Sequence, residues 1–179
     1  MNRPRTLLFT LGVVLPVAVP LVSCTDPVQD KAIAALGPEI GTPGPDHRPG
    51  QPCVTCHSEF GNSSSIFSVG GTIYESAGSP QGAANVSVLM RSADNSSFTA
   101  TTGPSGNFFV RKNEWDPAFP LLVHIYRQDV GIRPMLSHVG REPSCAGCHF
   151  NPPDAGFAAD ARPLVHYTAF QSVGQVYLK

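Results

Sequence analysis

Four of the five cysteines in this 179-residue chain fall in two identical frames, Cys53-Val54-Thr55-Cys56-His57 and Cys145-Ala146-Gly147-Cys148-His149. Two thiols separated by two residues, with an imidazole directly after the second, can do three kinds of chemistry. The thiols can add across the two vinyl groups of one haem while the imidazole reaches its iron. Two such pairs can instead give four thiolates to a tetrahedral zinc ion. Each pair can also cycle between dithiol and disulfide. Six histidines among 179 residues put about 3% on a histidine following a given CxxC by accident, so finding it twice is roughly a one-in-a-thousand coincidence for plain zinc knuckles. No βαβ pattern of the kind that carries a dithiol redox pair surrounds either frame. The spacing therefore favours two covalently bound haems, with the zinc and dithiol uses as alternatives.

The pentapeptide resembles the attachment signature of c-type cytochromes. The resemblance implies that Cys53, Cys56, Cys145 and Cys148 carry haem c through thioethers and that His57 and His149 are the proximal iron ligands. His47, His138, His166 and His124, with Met90 and Met135, remain to supply distal ligands. His47 lies six residues before Cys53 and His138 seven before Cys145, so the two segments read as a loose repeat of His, spacer, CxxCH. Bis-histidine ligation at both haems is expected, with His47 and His138 ahead of His166 and His124. His124 shares a strand face with Leu122 and Tyr126, and Met90 alternates with Val86 and Val88 as a core residue would. A second imidazole in place of a thioether lowers the potential. Gln51-Pro52, Glu142-Pro143-Ser144 and Asn151-Pro152-Pro153 flank the frames, which predicts short helical turns in loop-rich segments. That departs from class I cytochromes c, whose terminal helices cross over the haem.

The elements that must position these frames lie between them. Ser68–Tyr74, Asn85–Arg91, Ser97–Thr102, Phe108–Arg111 and Leu121–Arg127 read as strands, broken at Gly78-Ser79-Pro80, Asp94-Asn95 and Gly103-Pro104-Ser105-Gly106. Val173–Leu178 is a candidate final strand, and Phe98, Phe108 and Val110 are candidate core. Gly71-Thr72-Ile73-Tyr74, Gly82-Ala83-Ala84-Asn85-Val86-Ser87-Val88 and Thr101-Thr102-Gly103-Pro104-Ser105-Gly106-Asn107-Phe108 resemble the carboxypeptidase regulatory-like, or transthyretin-like, β-sandwich. That resemblance implies a structural module without catalytic residues. Trp115 is placed either over the sandwich core or against a haem. The expected fold class is mainly β: an antiparallel β-sandwich flanked by loop-rich c-type haem-binding segments with short helices.

At the N-terminus Arg3 and Arg5 precede an apolar run from Leu7 to Val22, the pattern of an export signal. The run ends in Leu21-Val22-Ser23-Cys24, which resembles the lipobox of bacterial lipoproteins. This implies a signal peptide over 1–23, lipidation of Cys24 and an envelope location, with Thr25 in the pattern of outer-membrane rather than inner-membrane lipoproteins. The remainder divides into a Pro/Gly-rich tether at 24–50, a first haem-binding segment at 51–66, the sandwich at 67–127 and a second haem-binding segment at 128–179. With 17 Gly, 18 Pro and 14% charged residues the chain is turn-rich, and its net charge of -1 lacks the basic field of a nucleic-acid binder. The sequence points to a periplasmic or outer-membrane-tethered dihaem cytochrome that relays electrons between redox donor and acceptor proteins, with self-association a further possibility. A haem peroxidase or small-molecule reductase with one open iron, an assembly-forming haem-bearing sandwich and a four-cysteine zinc module are the alternatives.

Overall fold

Runs that alternate apolar and polar residues between Gly and Pro turns become six strands in two antiparallel sheets. A computed structural model describes residues 26–39, 43–149 and 173–179; the 1–23 signal, Cys24 and His166 lie outside them. The strands are β1 (Phe67–Thr72), β2 (Ser87–Arg91), β3 (Ser97–Thr101), β4 (Asn107–Arg111), β5 (Leu122–Arg127) and β6 (Gly131–Pro134). One sheet has the order β3-β2-β5-β6 and the other pairs β1 with β4. The protein is thus mainly β and sandwich-like, as its sequence predicts.

Period-two alternation decides which side chains enter the core. On β2, Val88 and Met90 are buried while Leu89 and Arg91 face outward, and on β5 Ile125 is buried between His124 and Tyr126, which are exposed. Phe108 and Val110 of β4 and Val69 of β1 meet them from the other sheet. Phe98 packs at the edge of this cluster, stacked on Trp115 with ring centroids 5.8 Å apart. Trp115 also donates through Nε1 to Ser96 Oγ. The tryptophan therefore caps the sandwich core.

Three elements differ from the sequence reading. Within the 24–50 segment Pro27–Ala35 forms helix α1, capped by the Asp26 side chain, which accepts from the Val28 and Gln29 N–H groups, with Pro27 in the first turn. The strand β6, within the segment read as haem-binding, pairs with β5 across His124–Pro134 to Arg127–Gly131. Its residues are half-buried to exposed, so no inward apolar period marks it. The expected strand at Val173–Leu178 reduces to one parallel bridge between Tyr177 and Tyr74, although Leu178 is fully buried in the core. No helix of the described residues is long and apolar enough to cross a membrane.

Candidate cofactor site

Each CxxCH frame folds into one tight turn. Cys53–Cys56 is a single turn of helix, α2, in which the His57 N–H donates to the Cys53 carbonyl at 3.1 Å. Cys145–Gly147 is a 3-10 turn, and the His149 N–H donates to the Cys145 carbonyl at 2.7 Å. A proline precedes each frame closely, Pro52 and Pro143, and disfavours helical geometry in the residue before it. The turn gathers both thiols and the imidazole of a frame within one short stretch of backbone.

Strand β1 brings the two frames together. Gly70 and Gly71 occupy its middle, where glycine is ordinarily unfavourable, and the reason is close approach. A Cβ on Gly70 would lie 3.2 Å from Cys53 Cβ and 3.3 Å from Cys53 Sγ; one on Gly71 would lie 2.6 Å from Cys145 Cβ and 2.7 Å from Cys145 Sγ. The edge of β1 not paired with β4 is taken by the second frame: Ser144 bridges Gly70 in parallel, and the Gly70 N–H donates to the Pro143 carbonyl at 3.0 Å. Ser144 is buried, and its Oγ accepts from the Val54 N–H at 3.0 Å, a hydrogen bond between residues 90 apart in the chain. The first cysteine of each frame thus rests on adjacent glycines of one strand.

The imidazoles are oriented in the same way. His57 Nδ1 is 2.7 Å from the Ser65 carbonyl and His149 Nδ1 is 2.9 Å from the Gly174 carbonyl. A ring that donates from Nδ1 to a carbonyl leaves Nε2 unprotonated and free to ligate, the arrangement common to metal-bound histidines. His57 stacks on Phe67 at 3.9 Å between centroids, Phe67 on Phe109 at 4.5 Å, and the Arg111 guanidinium caps Phe109 at 5.3 Å. Burial lowers the His57 pKa, which keeps the ring neutral and suited to ligation.

A cavity of about 310 Å³ opens beside the first frame, lined by Cys53, Cys56, His57, Phe67, Phe109 and, facing them, His47. The His47 and His57 centroids are 5.9 Å apart with the rings at 76°. Two imidazoles sharing one metal ion, each with a metal–nitrogen bond of ~2.0 Å, have centroids roughly 6 Å apart. His47 Nδ1 is buried with the Glu39 carboxylate 3.3 Å away, so Nε2 is the nitrogen left for a ligand. Among the described residues no three His, Cys, Asp or Glu side chains converge as a metal cage. A haem iron needs only two protein ligands, since the macrocycle supplies four. The chain's first frame fits such a group on these counts.

Three of the four motif thiols are held neutral. None of the four motif cysteines is in a disulfide. Burial pushes the Cys53 thiol up to about 11 and Cys145 up to about 12, and raises Cys56 as well. A redox-active CxxC pair needs the opposite shift.

The remaining candidates are placed elsewhere. His124 is exposed on the outer face of the four-stranded sheet, with Leu89 opposite it on β2 and Pro134 on β6. His138 is exposed beside Val139, which exchanges both backbone hydrogen bonds with Leu121. Neither lines the cavity. Met90 is core and Met135 donates its N–H to the Val123 carbonyl. Helix α1 is a contributor that composition concealed: Gln29 Nε2 donates to the Thr55 carbonyl and, at 3.2 Å, to Ser58 Oγ. The Asp26-Pro27 start and Gly37 stop were the legible signals for it. No family model matches the chain, and no curated protein or solved structure is similar to it.

Proposed function

We propose that the chain is a dihaem c-type cytochrome that relays electrons between a donor and an acceptor protein at the cell envelope. The observation that carries this reading is the placement of two CxxCH turns on adjacent glycines of one strand, joined by the Val54–Ser144 hydrogen bond. Cys53 and Cys56 would hold one haem and Cys145 and Cys148 the other, each thiol adding across a vinyl group. His57 and His149 would be the proximal ligands, fixed through Nδ1 by the Ser65 and Gly174 carbonyls. His47 is the favoured second ligand at the first site. Haem iron supplies a one-electron couple. The protein's own part would be to hold two such couples against one strand, to offer His47 as a second ligand at the first and to exclude water there with Phe67 and Phe109. With His47 opposite His57, the first site favours electron transfer over a peroxidase or reductase, which needs an open iron. The raised thiols weigh against dithiol exchange.

The lipid anchor belongs to the same reading. Helix α1 starts three residues after Cys24 and bonds to Thr55 and Ser58. A lipidated Cys24 would therefore keep the first site close to the bilayer surface, since three residues reach no further than roughly 11 Å. Mass spectrometry of protein matured in a host with cytochrome c assembly tests the proposal. A haem on each motif peptide is expected; four unmodified thiols, or bound zinc, would overturn it.

A further inference from the structure

The groups that hold His47 across from His57 are charged, unlike those that hold the two motif histidines. Arg48, next to His47, has φ +47°, a conformation costly for a residue other than glycine. Its guanidinium is spent on four acceptors: Glu39 Oε2 at 2.9 Å, the Leu36 carbonyl at 3.0 Å, the Gly37 carbonyl at 2.7 Å and Gln51 Oε1 at 2.8 Å. This clasp closes the end of α1 onto the loop that carries His47. The other side of the loop is pinned to the β3–β4 turn, where Ser105 donates its N–H and its hydroxyl to Asp46 Oδ1 and Asn107 Nδ2 donates to the His47 carbonyl at 2.8 Å. The second oxygen of Glu39, Oε1, lies 3.3 Å from His47 Nδ1, off the line of a hydrogen bond. His57 and His149 meet neutral backbone carbonyls at the same atom.

A carboxylate against the far nitrogen of a ligating imidazole fixes the ring and raises its basicity. A more basic ligand favours the more positively charged oxidation state of the metal. We infer that Glu39, held by Arg48, is a positioning residue for His47 as second axial ligand of the first site, and that its charge sets the potential of that site below the value a neutral partner would give. The inference rests on the haem reading above and deepens it.

Glu39→Gln keeps an acceptor for Arg48 and removes the charge. In redox titrations of the matured two-haem protein, E39Q should move one wave to higher potential and leave the other in place, with both haems present and low-spin. E39D, which restores the charge, should return the wave toward the wild-type position. R48K, which cannot reach four acceptors, should shift the same wave or turn that haem partly high-spin, and H47A should turn it high-spin. Thermal melts of each variant separate these effects from unfolding. Unchanged waves in E39Q, or an H47A protein with both haems low-spin, would overturn the inference while leaving the cytochrome reading intact. Protein that matures without haem would overturn both.

Discussion

The two CxxCH turns share a sequence frame and a histidine hydrogen-bond scheme, yet the fold gives them different settings. The first opens onto a cavity, faces His47 and ends a column of flat side chains that reaches the half-exposed Arg111. The second is built into the sandwich: Ser144, Ala146 and Gly147 are buried, Cys145 packs on the core, and His149 is held by the C-terminal segment. Local sequence sets the turn, whereas accessibility comes from which strand each turn lies against. On the cytochrome reading the first site is the port to a partner and the second is the enclosed member of the pair.

The contrast breaks most sharply at Gly71. Gly71→Val would drive side-chain atoms into Cys145, 2.6–2.7 Å from where a Cβ would stand, and overpacking of this kind costs about 1–3 kcal/mol or more. Haem counts should fall from two to one, with the second motif empty. Gly70→Ala meets Cys53 only at 3.2–3.3 Å, a clash of tenths of an ångström, and should keep both haems at a cost below about 1 kcal/mol. Equal losses in the two variants would remove the distinction between the sites.

The neutral thiols give a second handle. In protein expressed without haem, Cys53 and Cys145 hold their protons to about 11 and about 12 against an ordinary 9.0. Above pH 9 the unfolded chain loses these protons first, so folding stability contributed by the neutral thiols falls as pH rises through that window. Urea titrations from pH 8 to 11 should show this loss, and a C53A/C145A variant should show less of it.

Ser144→Ala removes the link between the sites and leaves the Val54 N–H without that acceptor. A penalty of about 1 kcal/mol is expected for a hydrogen bond lost at a part-buried donor, read as a lower urea midpoint. The smallest effect belongs to Gln29→Ala, which frees α1 from the first turn. It should cost about 0.5–1.5 kcal/mol and raise proteolysis between residues 27 and 39 without changing the haem count.

Much of this arrangement was legible before the fold. Alternation located the inward residues of β2 and grouped Leu122, His124 and Tyr126 on one face of β5, and the Gly and Pro turns bounded five of six strands. The histidines that precede the two frames at nearly equal spacing end in different settings. His47 is carried to the first cavity because Asp46 and Arg48 pin its loop to Ser105 and to α1. His138 has nearly the same spacing, but Val139 is locked to Leu121 by two backbone hydrogen bonds, and the histidine is left facing solvent. Spacing along the chain measures reach; strand pairing elsewhere decides whether that reach is used. The meeting of the frames at Gly70-Gly71 was not legible, since contacts over 90 residues leave no local period.

On the cytochrome reading, two redox groups meet at β1 and each should feel the charge of the other. A redox titration of the matured protein, followed by electron paramagnetic resonance, tests that directly. Two covalent low-spin haems whose spectra or potentials depend on each other's oxidation state are the predicted result. A protein without haem, or one with two haems that titrate and relax independently, would contradict it.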